Sequence, residues 1–278
     1  MTNRSMIAKE LALSVVMPCY RCKDTIQRAI DSLVAQTAIP KEVILVDDFS
    51  NDGTLEYLQQ LSNQYKNGWI KVLALPHNSG PGVARNEGWK VATEPYIAFL
   101  DADDSWHAQK AYIQHEWMRT HPEIFLTGHP SIRYSPESAT KIISNEFCVQ
   151  IISPLRLLFS NVFSTRSIMC RSDLPIFFDN EKRYVEDYWW LMKIAYSGYS
   201  IAKLSVAMAF TYKQDYGESG LSGKLWAMEK DELDNYWRLG KAGWVARPIV
   251  VMLSFYSILK YLKRVIVSEL RRFVTRAI

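Results

Sequence analysis

Tyr96-Ile97-Ala98-Phe99-Leu100-Asp101-Ala102-Asp103-Asp104 decides how the rest of the chain is read. Its first five residues are apolar or aromatic, as suits a strand buried on both faces of a parallel sheet. Three carboxylates follow where that run stops. Strand side chains alternate with period two, so Asp101 and Asp103 share a face if the extended conformation continues through them. That placement suits a divalent cation and a polar ligand. In open α/β sheets, ligands bind at these carboxyl ends. The plainer reading of the same residues is a solvated turn, with Asp104 or Ser105 capping a following helix.

Upstream, residues 11–17 read as a first buried strand stopped by Pro18, and Asp24 is placed to cap a helix with Ile26, Ile30, Leu33 and Val34 at helical spacing. Residues 42–46 form a second strand. The polar loop 47–54 then leads into Leu55, Leu58 and Leu61 of another helix. A third strand over 69–75 is followed by Gly80-Pro81-Gly82, a break in the chain, and by a short helix over 83–91. Downstream, 108–119 reads as a helix, 124–128 as a strand and 167–170 as a short strand. Strands alternating with helices predict an α/β fold with a mainly parallel sheet and right-handed crossovers.

With 278 residues, 48% of them hydrophobic and 22% charged, the chain can bury a large core. Seven basic residues against Glu269 give the tail after residue 246 a charge of +6, leaving −2 for the rest of a chain whose net charge is +4. A nucleic-acid enzyme more often carries its basic surface on the body, so no nucleic-acid partner is expected. No charged start, apolar run and small-residue cleavage site stand near Met1, so no secretion signal is expected, and no run of about 18 apolar residues predicts a membrane span. Cys19, Cys22, Cys148 and Cys170 are too scattered for a disulfide framework and fit a reducing cytosol. Cys19-x-x-Cys22 is half of a zinc or redox motif without a second pair nearby.

Loop chemistry separates the fold's possible ligands. The first strand leads into Pro18-Cys19-Tyr20-Arg21, without the glycine-rich turn that lets a pyrophosphate approach a helix N-terminus, and no Gly-x-x-x-x-Gly-Lys occurs. Acidic residues cluster instead at two strand ends, Asp47 with Asp48 and Asp101 with Asp103 and Asp104. Carboxylates repel phosphates unless a cation lies between them, so these loops suggest a nucleotide held partly through Mg2+ or Mn2+.

Residues 16–20, Val46-Asp47-Asp48-Phe49-Ser50-Asn51-Asp52-Gly53-Thr54, Gly82-Val83-Ala84-Arg85-Asn86-Glu87-Gly88, Phe99-Leu100-Asp101-Ala102-Asp103-Asp104 and Glu186-Asp187 together resemble the ordered motifs of inverting family-2 glycosyltransferases of the GT-A fold, of the bacterial polysaccharide-assembly type. The resemblance covers roughly residues 11–215. Arg21 departs from it, since family members often carry Asn there. The resemblance implies a catalytic domain over 1–215, with a nucleotide-binding half at about 11–105 and an acceptor-binding half at about 106–215; beyond it, 216–278 reads from its own residues as a helical C-terminal extension. It sets Pro18, Tyr20 and Asp48 against the base, commonly uracil, and Arg85 near the nucleotide or in a structural ion pair. Asp101 is directed at the ribose and metal region, with a contact to the metal through water, and Asp103 is the direct ligand of Mn2+ or Mg2+. Asp104 orients this site or caps the next helix, and the cap is the favoured reading. Asp187 is the general base, with Glu186 as its positional support; the plain alternative for this pair is interaction with a helix dipole.

The implied activity is transfer of a hexose or N-acetylhexosamine from a UDP-sugar, with inversion, to a hydroxyl of a lipid-linked saccharide in O-antigen, capsule or lipooligosaccharide assembly. The alternatives are a sugar-phosphate nucleotidyltransferase and an idle sugar-nucleotide-binding scaffold. Trp189 and Trp190 are placed to stack on sugars or to fill the core, and His129 is a remote candidate for the site. Residues 249–259 are apolar, and Leu262, Val265, Ile266, Leu270, Phe273 and Val274 continue at near-helical spacing among Lys260, Lys263, Arg264, Arg271, Arg272 and Arg276. That pattern predicts a helix lying on an anionic membrane, or packed back on the protein or on a second copy of the chain. The expected location is peripheral, on the cytoplasmic face of a bacterial cell membrane.

Overall fold

The computed structural model describes residues 9–65, 68–144, 146–213 and 223–276, with side chains to residue 269. Its strands are β1 Lys9–Cys19, β2 Ala38–Asp47, β3 Ile70–Ala74, β4 Tyr96–Phe99, β5 Ser105–Trp106, β6 Ile124–Gly128, β7 Ser131–Arg133, β8 Val149–Ile151, β9 Met169–Arg171, β10 Ser200–Leu204 and β11 Ala209–Thr211. The helices are α1 Ile26–Val34, α2 Thr54–Ser62, α3 Pro81–Val91, α4 Lys110–Thr120, α5 Pro136–Thr140, α6 Pro154–Leu157, α7 Glu186–Tyr196, α8 Leu225–Lys241 and α9 Arg247–Arg276.

Eight strands form the main sheet in the order β3-β2-β1-β4-β9-β6-β10-β8, and β5-β11-β7 make a small second sheet. Pairing within β3-β2-β1-β4 is parallel, as it is between β6 and β10. Strand β9 is antiparallel to both β4 and β6, and β8 is antiparallel to β10. Period-two alternation divides the core between the two faces of the sheet. Val16, Ile44, Val46 and Phe99 pack with Trp190, Leu191 and Leu126, whereas Val15, Val43, Leu45 and Ala98 pack with Ile26, Ile30 and Leu33 of α1. Gly88 lets α3 lie close on this sheet, because a Cβ there would come within 2.4 Å of Val16 Cγ1.

Pro18 does not stop the first strand. It pairs with Val46 of β2, and its missing N–H costs nothing because pairing with β4 has already ended at Val16 and Phe99. Asp24 does not cap α1 either, where the N-cap position is Thr25 and makes no side-chain capping bond. Trp189 and Trp190 are both buried in the core, Trp190 stacked on Phe178 with ring centroids 4.3 Å apart.

The boundary expected near residue 215 lies outside the described residues. Tyr236 and Leu239 of α8 and Val250 and Leu253 of α9 belong to the same core as Trp190 and Leu126. Lys260 and Arg264 turn inward onto α8 rather than outward to a membrane: Lys260 Nζ donates to Glu232 Oε1 at 2.7 Å, and Arg264 Nη2 to Glu229 Oε2 at 2.7 Å. The other side of α9 leaves Val251, Met252, Phe255, Leu259, Leu262 and Ile266 exposed, Phe255 to 64%. Among the described residues no helix is long and apolar enough to cross a membrane. The side chains of Leu270, Arg271, Arg272, Phe273, Val274 and Arg276 lie outside the described residues.

Candidate active site

The site forms where β1, β2 and β4 end together. Strand β4 stops at Phe99, Leu100 N donates to Val16 O at 3.2 Å, and the chain then turns so that Asp104 N donates to Asp101 O at 3.1 Å. Asp101 and Asp103 are therefore carried by a turn and not by one face of an extended strand. The turn separates the carboxylates, and each meets a different cation. Arg85 Nη2 of α3 donates to Asp101 Oδ1 at 2.8 Å, Lys213 Nζ lies 2.5 Å from Asp103 Oδ2, and Arg166 Nε lies 2.8 Å from Asp104 Oδ2.

Asp104 does not cap a helix. The next helix, α4, begins at Lys110 with Gln109 at its N-cap position and no side-chain cap, while Asp104 is buried. Burial, opposed by Arg166 and reinforced by the charges of Asp101 and Asp103, pushes the Asp104 pKa up to about 8. For Asp101 burial acts in the same direction, but the charges of Arg85 and Arg166 outweigh it and hold the carboxyl below its ordinary range.

Arg85 reaches both halves of the site. It is 4% exposed, and its Nη1 donates to Glu186 Oε1 at 2.8 Å while Nη2 holds Asp101. A buried arginine with two carboxylate partners fixes the acidic turn against the start of α7. Burial raises the Glu186 pKa to about 7 despite Arg85, with the Asp187 charge adding to the shift. Asp187 Oδ2 accepts from Asn161 Nδ2 at 3.0 Å and from Thr165 Oγ1 at 3.4 Å, and Oδ1 accepts from Tyr188 N at 2.8 Å. Burial raises its pKa, against the pull of Arg85. Immediately before this pair, Val185 sits at φ 44°, a left-handed conformation that β-branched residues rarely adopt.

Asp48 lies at the end of β2 and is saturated by the loop leading into α3. It accepts from Ser79 N at 2.6 Å, Gly80 N at 2.8 Å and Asn78 Nδ2 at 3.0 Å. Burial nevertheless raises its pKa. Beside it, Pro18 is half-buried and Tyr20 is 45% exposed with Arg21 over its ring. Cys19 and Cys22 are free and buried.

Sequence reading missed Arg166, Lys213, Asn161 and Thr165, which lie in aperiodic stretches and reach the site only through the fold. Two cavities meet at Asn161. The smaller, of about 220 Å3, is lined by His129, Ser164, Arg166 and Thr211 among others, and the larger, of about 560 Å3, by Asp187. His129 Nε2 and Ser164 Oγ are buried without a hydrogen-bond partner among the described residues. Burial and the nearby Lys110 push the His129 pKa down to about 3, so the imidazole is neutral at pH 7.

Among the described residues no three His, Cys, Asp or Glu side chains converge as a metal cage. The donor set fits a different mode, in which one or two carboxylates share Mg2+ or Mn2+ with phosphate oxygens and water. Asp103 is 30% exposed at its side chain, and its Oδ2 already holds a cationic group, the Lys213 ammonium.

A sequence profile of Glycosyl transferase family 2 matches residues 14–175, more than half of the chain. The UDP-Glc:alpha-D-GlcNAc-diphosphoundecaprenol beta-1,3-glucosyltransferase WfgD of Escherichia coli is 29% identical over 158 residues, 57% of each chain. The chain spans less than two thirds of the length of the curated relatives it matches first. S. aureus TarS 1-349, solved in complex with UDP-GlcNAc, superposes with a TM-score of 0.63 at 25% identity, covering 81% of this chain and 64% of that one. The mannosyltransferase PcManGT of Pyrobaculum calidifontis, solved with GDP-Man and Mn2+, shares the fold with a TM-score of 0.65 at 15% identity, covering 93% and 75%. The mainly parallel sheet flanked by helices is thus the GT-A fold. The profile match takes in the loops at the ends of β1, β2 and β4 and stops before Glu186 and Asp187. On that match, extending through the Asp48 loop, Arg85 and the acidic turn, this chain belongs to glycosyl transferase family 2.

Proposed function

We propose that this chain is a metal-dependent, inverting glycosyltransferase that moves a sugar from a UDP-sugar to a hydroxyl of a lipid-linked saccharide in bacterial surface-polysaccharide assembly. The observation that carries the proposal is the Asp101–Arg85–Glu186 bridge, which joins the acidic turn to the helix that bears Asp187. The name of WfgD, with its UDP-Glc donor and diphosphoundecaprenol-linked acceptor, supports the substrate classes. The UDP-GlcNAc bound to TarS supports the donor.

The family resemblance assigns the site residues their roles in this reading. Pro18, Tyr20 and Asp48 border the base of the nucleotide. Asp103, and Asp101 through water, would hold Mn2+ or Mg2+, whose charge offsets that of the leaving diphosphate when the ion is bound. The Mn2+ in the PcManGT complex supports a divalent ion as the cofactor class. Asp187 accepts the proton of the acceptor hydroxyl as its oxygen attacks the anomeric carbon from the face opposite UDP. The bond from that carbon to the diphosphate oxygen breaks in the same displacement, so an α-linked donor yields a β-glycoside. A base works best with a pKa near the working pH, and burial moves Asp187 in that direction. Glu186 acts through Arg85, holding the start of α7 in register with the turn.

The exposed apolar side of α9 supports a peripheral seat on the anionic cytoplasmic face of a bacterial membrane.

Asp187→Asn tests the reading. The variant is expected to keep its fold and its affinity for UDP while transfer falls on the order of 10²-fold or more. Turnover near that of the wild type would remove Asp187 from the mechanism.

A further inference from the structure

Asp187 opens onto the larger cavity, of about 560 Å3, and the far wall of that cavity belongs to the C-terminal helices. Glu232 of α8 and Lys260, Lys263 and Arg264 of α9 line it together with Asp187 and Asn161. The three basic residues stand at i, i+3 and i+4 on α9 and so share one helix face. They are not fully spent on the carboxylates around them. Lys260 is held by Glu232, but Lys263 is exposed and has no ion pair among the described residues. Arg264 uses Nη2 for both Glu229 and Glu232 and lines the cavity beside them. A cavity with a proton acceptor at one end and, at the other, three cationic groups of which the Lys263 ammonium is unpaired among the described residues suits a ligand that carries a hydroxyl and an anionic group.

The diphosphate of the donor belongs elsewhere, at the acidic turn that ends β4. We therefore propose that the cavity receives the acceptor, and that Lys260, Lys263 and Arg264 bind a phosphate or diphosphate on it while its hydroxyl meets Asp187. This inference rests on the glycosyl-transfer reading for the role of Asp187 but not for the phosphate-binding wall. The anionic group has two sources of the same chemistry, a saccharide joined through diphosphate to a lipid and a polyol-phosphate chain. The exposed apolar side of α9, with Met252, Leu259 and Ile266, borders the basic side at Lys263, so a lipid-linked diphosphate would find an apolar and a cationic surface side by side on one helix.

The test is equilibrium binding to the full chain, by calorimetry, with UDP saturating so that the nucleotide subsite is filled. The probes are a short-tailed alkyl saccharide diphosphate, a ribitol-phosphate oligomer and a neutral alkyl glycoside of the same sugar. Lys263→Glu is expected to weaken one phosphate-bearing probe roughly ten-fold, in line with loss of a charge-assisted contact. Lys263→Arg should retain that affinity, and the neutral glycoside should bind both variants alike. A response by the saccharide diphosphate identifies the lipid-linked source, and a response by the oligomer the polyol phosphate. Equal affinity for charged and neutral probes, or an unchanged Kd for both phosphate probes in Lys263→Glu, overturns the proposal. Binding is read without turnover, so failure of transfer in Asp187 assays and failure of this wall are separate results.

Discussion

Val185 shows how one residue's conformation sets the site. A valine held at φ 44° stores on the order of 1–3 kcal/mol, and it does so one residue before Glu186 and two before Asp187. Val185→Gly relieves that strain, so its stability cost should stay below about 1 kcal/mol even though some packing is lost. Its kcat should fall several-fold with little change in KM for the donor, because the carboxylates lose their fixed approach; an unchanged kcat would show that the strain has no catalytic part. Glu42 gives the residue-scale pH effect. Its carboxyl is buried on β2, where hydrogen bonds from Lys71, Ser14 and Thr93 outweigh the effect of burial, and its pKa lies at about 2 rather than 4.5. A carboxylate whose folded pKa is depressed contributes stability above its unfolded pKa and loses it as pH falls through the folded one. The stability gap between wild type and Glu42→Gln should therefore be full above pH 4.5 and close as pH falls toward about 2, as chemical denaturation across that range would read. Asp101, Asp103 and Asp187 were legible because each belongs to a short ordered motif. Asn161 and Arg166 were not, since their partners Asp187 and Asp104 are remote in sequence and no local pattern marks them.

At the scale of elements, the close seating of α3 on β1 carries Arg85 into place. Gly88→Ala puts a methyl 2.4 Å from Val16 Cγ1 and must displace the helix or the strand. The overpacking should cost about 1–3 kcal/mol. Because the same helix bears Arg85, transfer should fall by more than the loss of folded protein explains; a variant with unaltered specific activity would separate the two. The strands and helices of the first hundred residues were readable from periodicity and turn residues, and the error was in their ends. Pro18 reads as a stop because a proline removes a donor, yet at that point no β4 partner is left to need it. Asp104 resembled a cap because caps and buried ion-pair acids use the same residue, and only Arg166 distinguishes them.

Over the whole molecule, α9 serves two surfaces. Its basic side closes a cavity beside Asp187 and its apolar side faces outward, so removing it after Gly243 would strip Val250 and Leu253 from the core as well as any membrane contact. The sequence pattern gave an amphipathic basic helix but not the partners of Lys260 and Arg264, which come from α8. A cleaner probe is Phe255→Glu with Leu259→Glu, both on the exposed side. Flotation with anionic liposomes at low salt should drop at least several-fold while the fold, read by thermal denaturation, is kept; undiminished flotation would assign membrane contact to another surface. The sheet order has a separate consequence, for synthesis. Once residue 99 has left the ribosome, β3, β2, β1 and β4 can pair as parallel neighbours, but the outer edge of β4 is bare. The strand that covers it, β9, is not made until residues 169–171. During that interval a nascent chain carries an apolar, unpaired edge open to other chains, so the yield of folded protein should depend on how quickly the ribosome carries translation through that stretch.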